Sequence, residues 1–120
     1  MSKAVKLALT LAAIAAVAGC QTAPQPLYQW ESYQPQVYEY FKGEPKEAQV
    51  EALERDLQKI NASGRKAPPG YHAHLGMLYM NMGKDDQMVQ EFRTEKALFP
   101  ESAAYMDFLL KNAKAGVATK

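Results

Sequence analysis

Residues 71–99 (YHAHLGMLYMNMGKDDQMVQEFRTEKALF) leave little choice of fold. Tyr71, Leu75, Leu78, Tyr79 and Met82 recur three and four positions apart, which puts them on one face of an α-helix. Gly83 ends that run. Met88, Val89, Phe92 and Phe99 then repeat the spacing, with Glu95 as the charged member of the same stripe. Asp85 or Asp86 is placed to cap the second helix, and Pro100 stops it. Two helices of about thirteen residues joined by Gly-Lys-Asp fold back on each other as an antiparallel hairpin.

The flanking segments carry the same period. In residues 45–61 (PKEAQVEALERDLQKIN), Pro45 suits a first-turn position, and Val50, Leu53, Leu57 and Ile60 form one apolar stripe. Glu47, Glu51, Glu54, Arg55 and Lys59 make the solvated face, and Gly64 ends the helix. A last helix is expected over residues 103–114, capped by Ser102, with Met106, Leu109 and Leu110 inward. The fold class is therefore all-α, with no sheet.

The central hairpin resembles a tetratricopeptide repeat. Leu75-Gly76, Tyr79, Gly83, Phe92 and Pro100 match that repeat's leucine-glycine, tyrosine, turn-glycine, aromatic and terminal-proline positions. Gly76 would let the second helix cross close to the first, because it has no side chain. Met88 and Glu95 replace the usual small residues, and His72 replaces the usual tryptophan. The repeat's period of about 34 residues relates Tyr38 and Phe41 to His72 and Leu75, and Leu75 to Leu109. The architecture implied is a set of tetratricopeptide-like antiparallel hairpins with a closing C-terminal helix. A single hairpin buries too little alone, so its flanking helices are required.

The amino terminus reads differently. Lys3 and Lys6 precede an apolar run over residues 7–17 (LALTLAAIAAV), followed by the small residues Ala18 and Gly19. That is the layout of a secretory signal peptide, and the run is too short to span a bilayer, which takes about 20 apolar residues. Val17-Ala18-Gly19-Cys20 resembles the lipobox of bacterial lipoproteins. The resemblance implies cleavage between Gly19 and Cys20 and acylation of Cys20. Several acyl chains on one residue anchor stably, since each buried methylene contributes about 0.8 kcal/mol. Gln21, where aspartate would retain an inner-membrane lipoprotein, resembles an outer-membrane address.

Four segments follow from these readings: a lipoprotein signal peptide over 1–19, a lipidated tether over 20–36, a helical domain over 37–115 and a flexible tail over 116–120. Pro24, Pro26 and Pro35 favour an extended tether. Its second half nonetheless carries Tyr28, Trp30 and Tyr33. These aromatics either fold back over an exposed helix face, which is the reading we expect for Trp30, or form a partner-binding or sugar-stacking patch.

Charge and composition exclude several functions. Without Lys3 and Lys6, twelve basic residues face 13 acidic ones, and no basic face is clustered as nucleic-acid binding needs. Cys20 is the only cysteine, so no intramolecular disulfide forms. Acylation leaves no thiol nucleophile, and no pair of carboxylates is patterned across a cleft, so an enzyme is not expected, nor a cofactor. His72, His74, Met77, Met80 and Met82 crowd one helix, and soft thioethers suit Cu(I). Positions 72 and 74 point to different sides of a helix, however, and methionine commonly fills core gaps.

Taken together, "GYHAHLGMLY", "EKALFPES" and "MDFLLK" make the chain resemble a family of short proteobacterial lipoproteins with a repeat-like helical domain. Members are often encoded beside a curli-secretion-channel-like lipoprotein. The resemblance implies a periplasm-facing outer-membrane lipoprotein in envelope assembly or export, gripping another envelope protein. The alternative of a different class is a periplasmic soft-metal or small-ligand binder.

Overall fold

The computed structural model describes residues 2–7 and 23–118. Most of the apolar run, the Gly19-Cys20 junction and the amino-terminal part of the tether lie outside the described residues. Residues 3–7 are helical. The rest is a chain of helices: α1 Tyr33–Lys42, α2 Lys46–Ala62, α3 Tyr71–Asn81, α4 Asp85–Leu98, a short 3-10 turn Pro100–Ser102, and α5 Ala103–Ala118. There is no strand among the described residues, and no helix there is long and apolar enough to cross a membrane.

Packing follows chain order. α1 lies on α2, α2 on α3, α3 on α4 and α4 on α5, with the α3–α4 hairpin the most extensive contact. This nearest-neighbour stacking is the logic of a repeat array. The core runs through it: Val50, Leu53 and Ile60 from α2, Tyr71, Leu75, Leu78 and Tyr79 from α3, Met88 and Phe92 from α4, and Met106 from α5. α3 is buried on nearly every side, because neighbours flank it on both sides.

The central glycines act as the tetratricopeptide pattern requires. A methyl group on Gly76 would lie 2.6 Å from two carbons of the Phe92 ring, so α4 crosses α3 where only glycine fits. Gly83, at φ 70°, takes the left-handed position after α3, and Lys84 N–H reaches back to the Tyr79 carbonyl at 2.9 Å. Together they form the Schellman closure that turns the hairpin.

Several boundaries differ from the expectation. The first helix starts at Tyr33, inside the expected tether of 20–36, and it contains Pro35. The first four N–H groups of a helix have no intrahelical partner, so a proline there removes no bond. α5 runs to Ala118, past the expected start of a tail at 116. Asp85 and Asp86 sit in the first turn of α4 after an N-cap at Lys84, where they meet the positive end of the helix dipole instead of capping. The Ser102 hydroxyl donates to the Phe99 carbonyl at 2.7 Å and does not cap α5.

The internal period also differs. The 34-residue period pairs Tyr38 and Phe41 with the buried His72 and Leu75, yet both are exposed, Phe41 to 81%. The two hairpins are offset by 38 residues, the distance from Tyr33 to Tyr71 at the starts of α1 and α3. α2 is 17 residues long and α4 only 14, and residues 63–70 add a long link, so a 34-residue frame slips.

Candidate functional site

The segment before α1 is a docked strap. Gln29 N–H donates to the Lys66 carbonyl at 2.9 Å, and Ser63 Oγ donates to Gln29 Oε1 at 2.7 Å. Arg65 reaches the Pro26 carbonyl at 2.5 Å. Residues 26–33 therefore lie along the α2–α3 link, and the folded unit begins well before residue 37. Prolines 24 and 26 still suit this shape, since a strap paired through few backbone groups loses little from a missing donor.

The strap's aromatics divide the surface between them. Tyr28 meets Phe99 edge-on at 6.0 Å. Tyr33 takes the inner slot, 5.3 Å from the Tyr71 ring and 6.1 Å from His74. Trp30 stacks on the outside of Tyr33 at 6.1 Å and stays 43% exposed. The expected cover by Trp30 is thus partial, because Tyr33 fills the groove that it would have entered.

Two buried carboxylates hold the starts of α1 and α3. Asp56, on α2, accepts from the Ser32 backbone N–H at 3.0 Å and from the Ser32 hydroxyl, and pairs with Lys59 at 3.0 Å. Burial pushes the Asp56 carboxyl up, but the Ser32 and Lys59 bonds outweigh it and hold it below its ordinary range. Glu95, on α4, accepts from Gly70 N–H at 2.6 Å and Ala73 N–H at 3.3 Å. Neither role was anticipated, although a charged residue on an otherwise apolar stripe was the signal: Asp56 lies between Leu53 and Ile60, and Glu95 between Phe92 and Phe99. Gly70 has φ 90°, and a side chain there would meet the Tyr33 hydroxyl at 2.8 Å, so this corner admits only glycine.

The histidines separate. His72 Nδ1 donates to Glu91 Oε2 at 2.6 Å, while His74 faces the Tyr33 and Tyr40 rings of α1. His74 Nε2 is buried without a hydrogen-bond partner, and burial lowers its pKa below the ordinary 6.5. Met77, Met80 and Met82 pack against the core. Among the described residues no three His, Cys, Asp or Glu side chains converge as a metal set. Two tyrosines complete the interior. Tyr71 donates to the Leu53 carbonyl at 2.6 Å, and Tyr79 donates to Glu54. Burial raises the pKa of both phenols.

What remains outward is aromatic at both ends of the array. Tyr38 and Phe41 project from α1, and Tyr105 and Phe108 stack at 6.4 Å and 15° on the outer face of α5, each 57% exposed. Near the strap, Leu27, Tyr28, Lys66, Leu98, Phe99 and Glu101 line a groove of about 200 Å³.

A family profile described as Domain of unknown function (DUF4810) matches residues 27–109. The chain belongs to this family. The matched span opens at Leu27 on the strap and closes at Leu109 within α5, so the family unit includes the docked strap as well as the helices. No curated protein and no solved structure matches the chain significantly.

Proposed function

We propose that this chain is a lipid-anchored outer-membrane lipoprotein of a proteobacterial envelope, acting as a helical adaptor that grips another envelope protein. The lipobox-like Val17-Ala18-Gly19-Cys20 supports the anchor. The observation that carries the adaptor reading is the pair of aromatic outer faces, Tyr38 with Phe41 and Tyr105 with Phe108. End helices of a repeat array are ordinarily polar on the outside to keep the array soluble. Aromatic side chains are also the commonest anchors of protein interfaces. The partner that fits is a protein surface with apolar pockets, and a curli-secretion-channel-like lipoprotein, the neighbour implied by the sequence resemblance, is the first candidate.

The test is site-specific photocrosslinking in intact envelopes. A crosslinker at Phe41 or Phe108 is expected to give discrete adducts with that channel-like lipoprotein, and one at Lys84, in the α3–α4 turn, none. Adducts only between copies of this chain, or equal labelling from all three positions, would count against the adaptor reading.

A further inference from the structure

We propose that the strap edge of the domain, with Leu27 and Leu98 at its apolar centre, rests on the lipid leaflet that holds the anchor. This rests on the reading of Cys20 as the acylated residue. Pro26 is the first residue of the strap held by the domain, through Arg65. Five residues lie between it and Cys20, and the six chain steps fully extended reach at most about 20 Å. That is less than the ~30 Å width of a small domain. A link that short, against extents of 29 and 23 Å across the molecule, keeps the edge that carries Pro26 nearer the lipid than the far side.

The side chains on that edge suit a lipid interface. Leu27 is 75% exposed and Leu98 46% exposed, and both border the same groove. Isolated exposed leucines are ordinary on a soluble surface, but two flanking one concavity where the tether leaves form a patch. Tyr28, half-buried beneath them and edge-on to the buried Phe99, supplies the aromatic body with a polar tip that favours the headgroup level. Exposed Lys66 stands on the same groove and meets lipid phosphate, while Glu101 lines it too. Seating this edge on the leaflet directs the α3–α4 turn away from it, because Lys84 and Phe99 stand at opposite ends of α4, which spans about 21 Å. The outer faces of α1 and α5 stay open to a protein partner.

The full-length protein, purified from envelopes, is placed in phosphatidylethanolamine–phosphatidylglycerol vesicles with brominated acyl chains. Trp30→Phe gives a tryptophan-free background, into which Glu101→Trp or Lys84→Trp introduces a single reporter. Bromine quenching is expected at least about threefold greater at position 101 than at 84, since interfacial side chains reach the acyl boundary. Adding Leu27→Asp and Leu98→Asp should bring position 101 down to the value at 84, with helicity by circular dichroism unchanged. Equal quenching at the two positions, or quenching at 101 that survives both aspartates, overturns the proposal. Intact mass of the same preparation reads acylation of Cys20 separately. If Cys20 is unmodified, the lipoprotein reading fails. The thiol is then coupled to a maleimide phospholipid and the same quenching comparison decides the orientation.

Discussion

The Glu95 carboxylate lies 2.6 Å from the backbone N–H of Gly70, 25 residues earlier, and so closes the start of α3 from α4. Asp56 does the same for α1 from α2, taking the Ser32 N–H 24 residues earlier. In each hairpin the second helix lends a buried carboxylate to the first turn of the helix before it. A negative charge there meets both unpaired N–H groups and the positive end of the helix dipole. The two hairpins thus share a fastening that no apolar pattern reports.

Removing that fastening should be costly. Glu95→Ala leaves the Gly70 and Ala73 N–H groups unpaired in a closed corner, and we expect a loss of about 1–3 kcal/mol. Glu95→Gln keeps one acceptor and should lose less. Denaturant titration measures both, as a lower midpoint at unchanged slope.

Stability should fall on acidification in two stages. His74 has a folded pKa below 6.5, so the unfolded chain binds the proton first. Its contribution is lost as pH drops from about 6.5 towards the folded value. Asp56 is shifted below 3.8, so the stability it lends is present above that pH and is lost as pH falls through its folded value. Chemical denaturation across pH should show both limbs. His74→Gln should abolish the upper one and leave the lower.

Gly76→Ala sets two effects against each other. Alanine in a helix interior gains up to about 1 kcal/mol over glycine. Its methyl group would stand 2.6 Å from the Phe92 ring, and overpacking of that kind costs about 1–3 kcal/mol. The clash should win and lower Tm, and Phe92→Leu in the same chain should make the alanine less harmful than it is alone.

Leu75 is 1% exposed in the middle of the core. Leu75→Ala should cost about 2–5 kcal/mol, read from equilibrium unfolding. An unchanged midpoint would show that the α3 face is not packed as described.

On the proposed lipoprotein reading, Cys20→Ser should abolish fatty-acid labelling, block removal of the signal peptide and take the protein out of the outer-membrane fraction. Membrane sedimentation with radiolabelled palmitate reads the label and the fraction together. A serine variant that still carries label would remove Cys20 from its assigned role.

What the sequence determined by itself was whatever depends on neighbours three or four residues away. The stripes Val50–Leu53–Leu57–Ile60 and Tyr71–Leu75–Leu78–Met82 set α2 and α3, and Leu75-Gly76, Gly83 and Phe92 set the central hairpin, because helix faces and turn glycines are local properties. Tertiary structure decided the rest. Pro35 looked like a bar to α1, but Ser32, Asp56 and the Tyr33–Tyr71 contact make the first turn worth forming. Residues 26–32 read as a tether until Arg65, Ser63 and Lys66, more than thirty positions on, supplied partners. The 38-residue offset was hidden because helix and link lengths, not side-chain identities, set it. Asp56 and Glu95 were the least legible, since a carboxylate becomes a cap only when another helix brings unpaired N–H groups to it, and that juxtaposition exists only after the hairpins have packed.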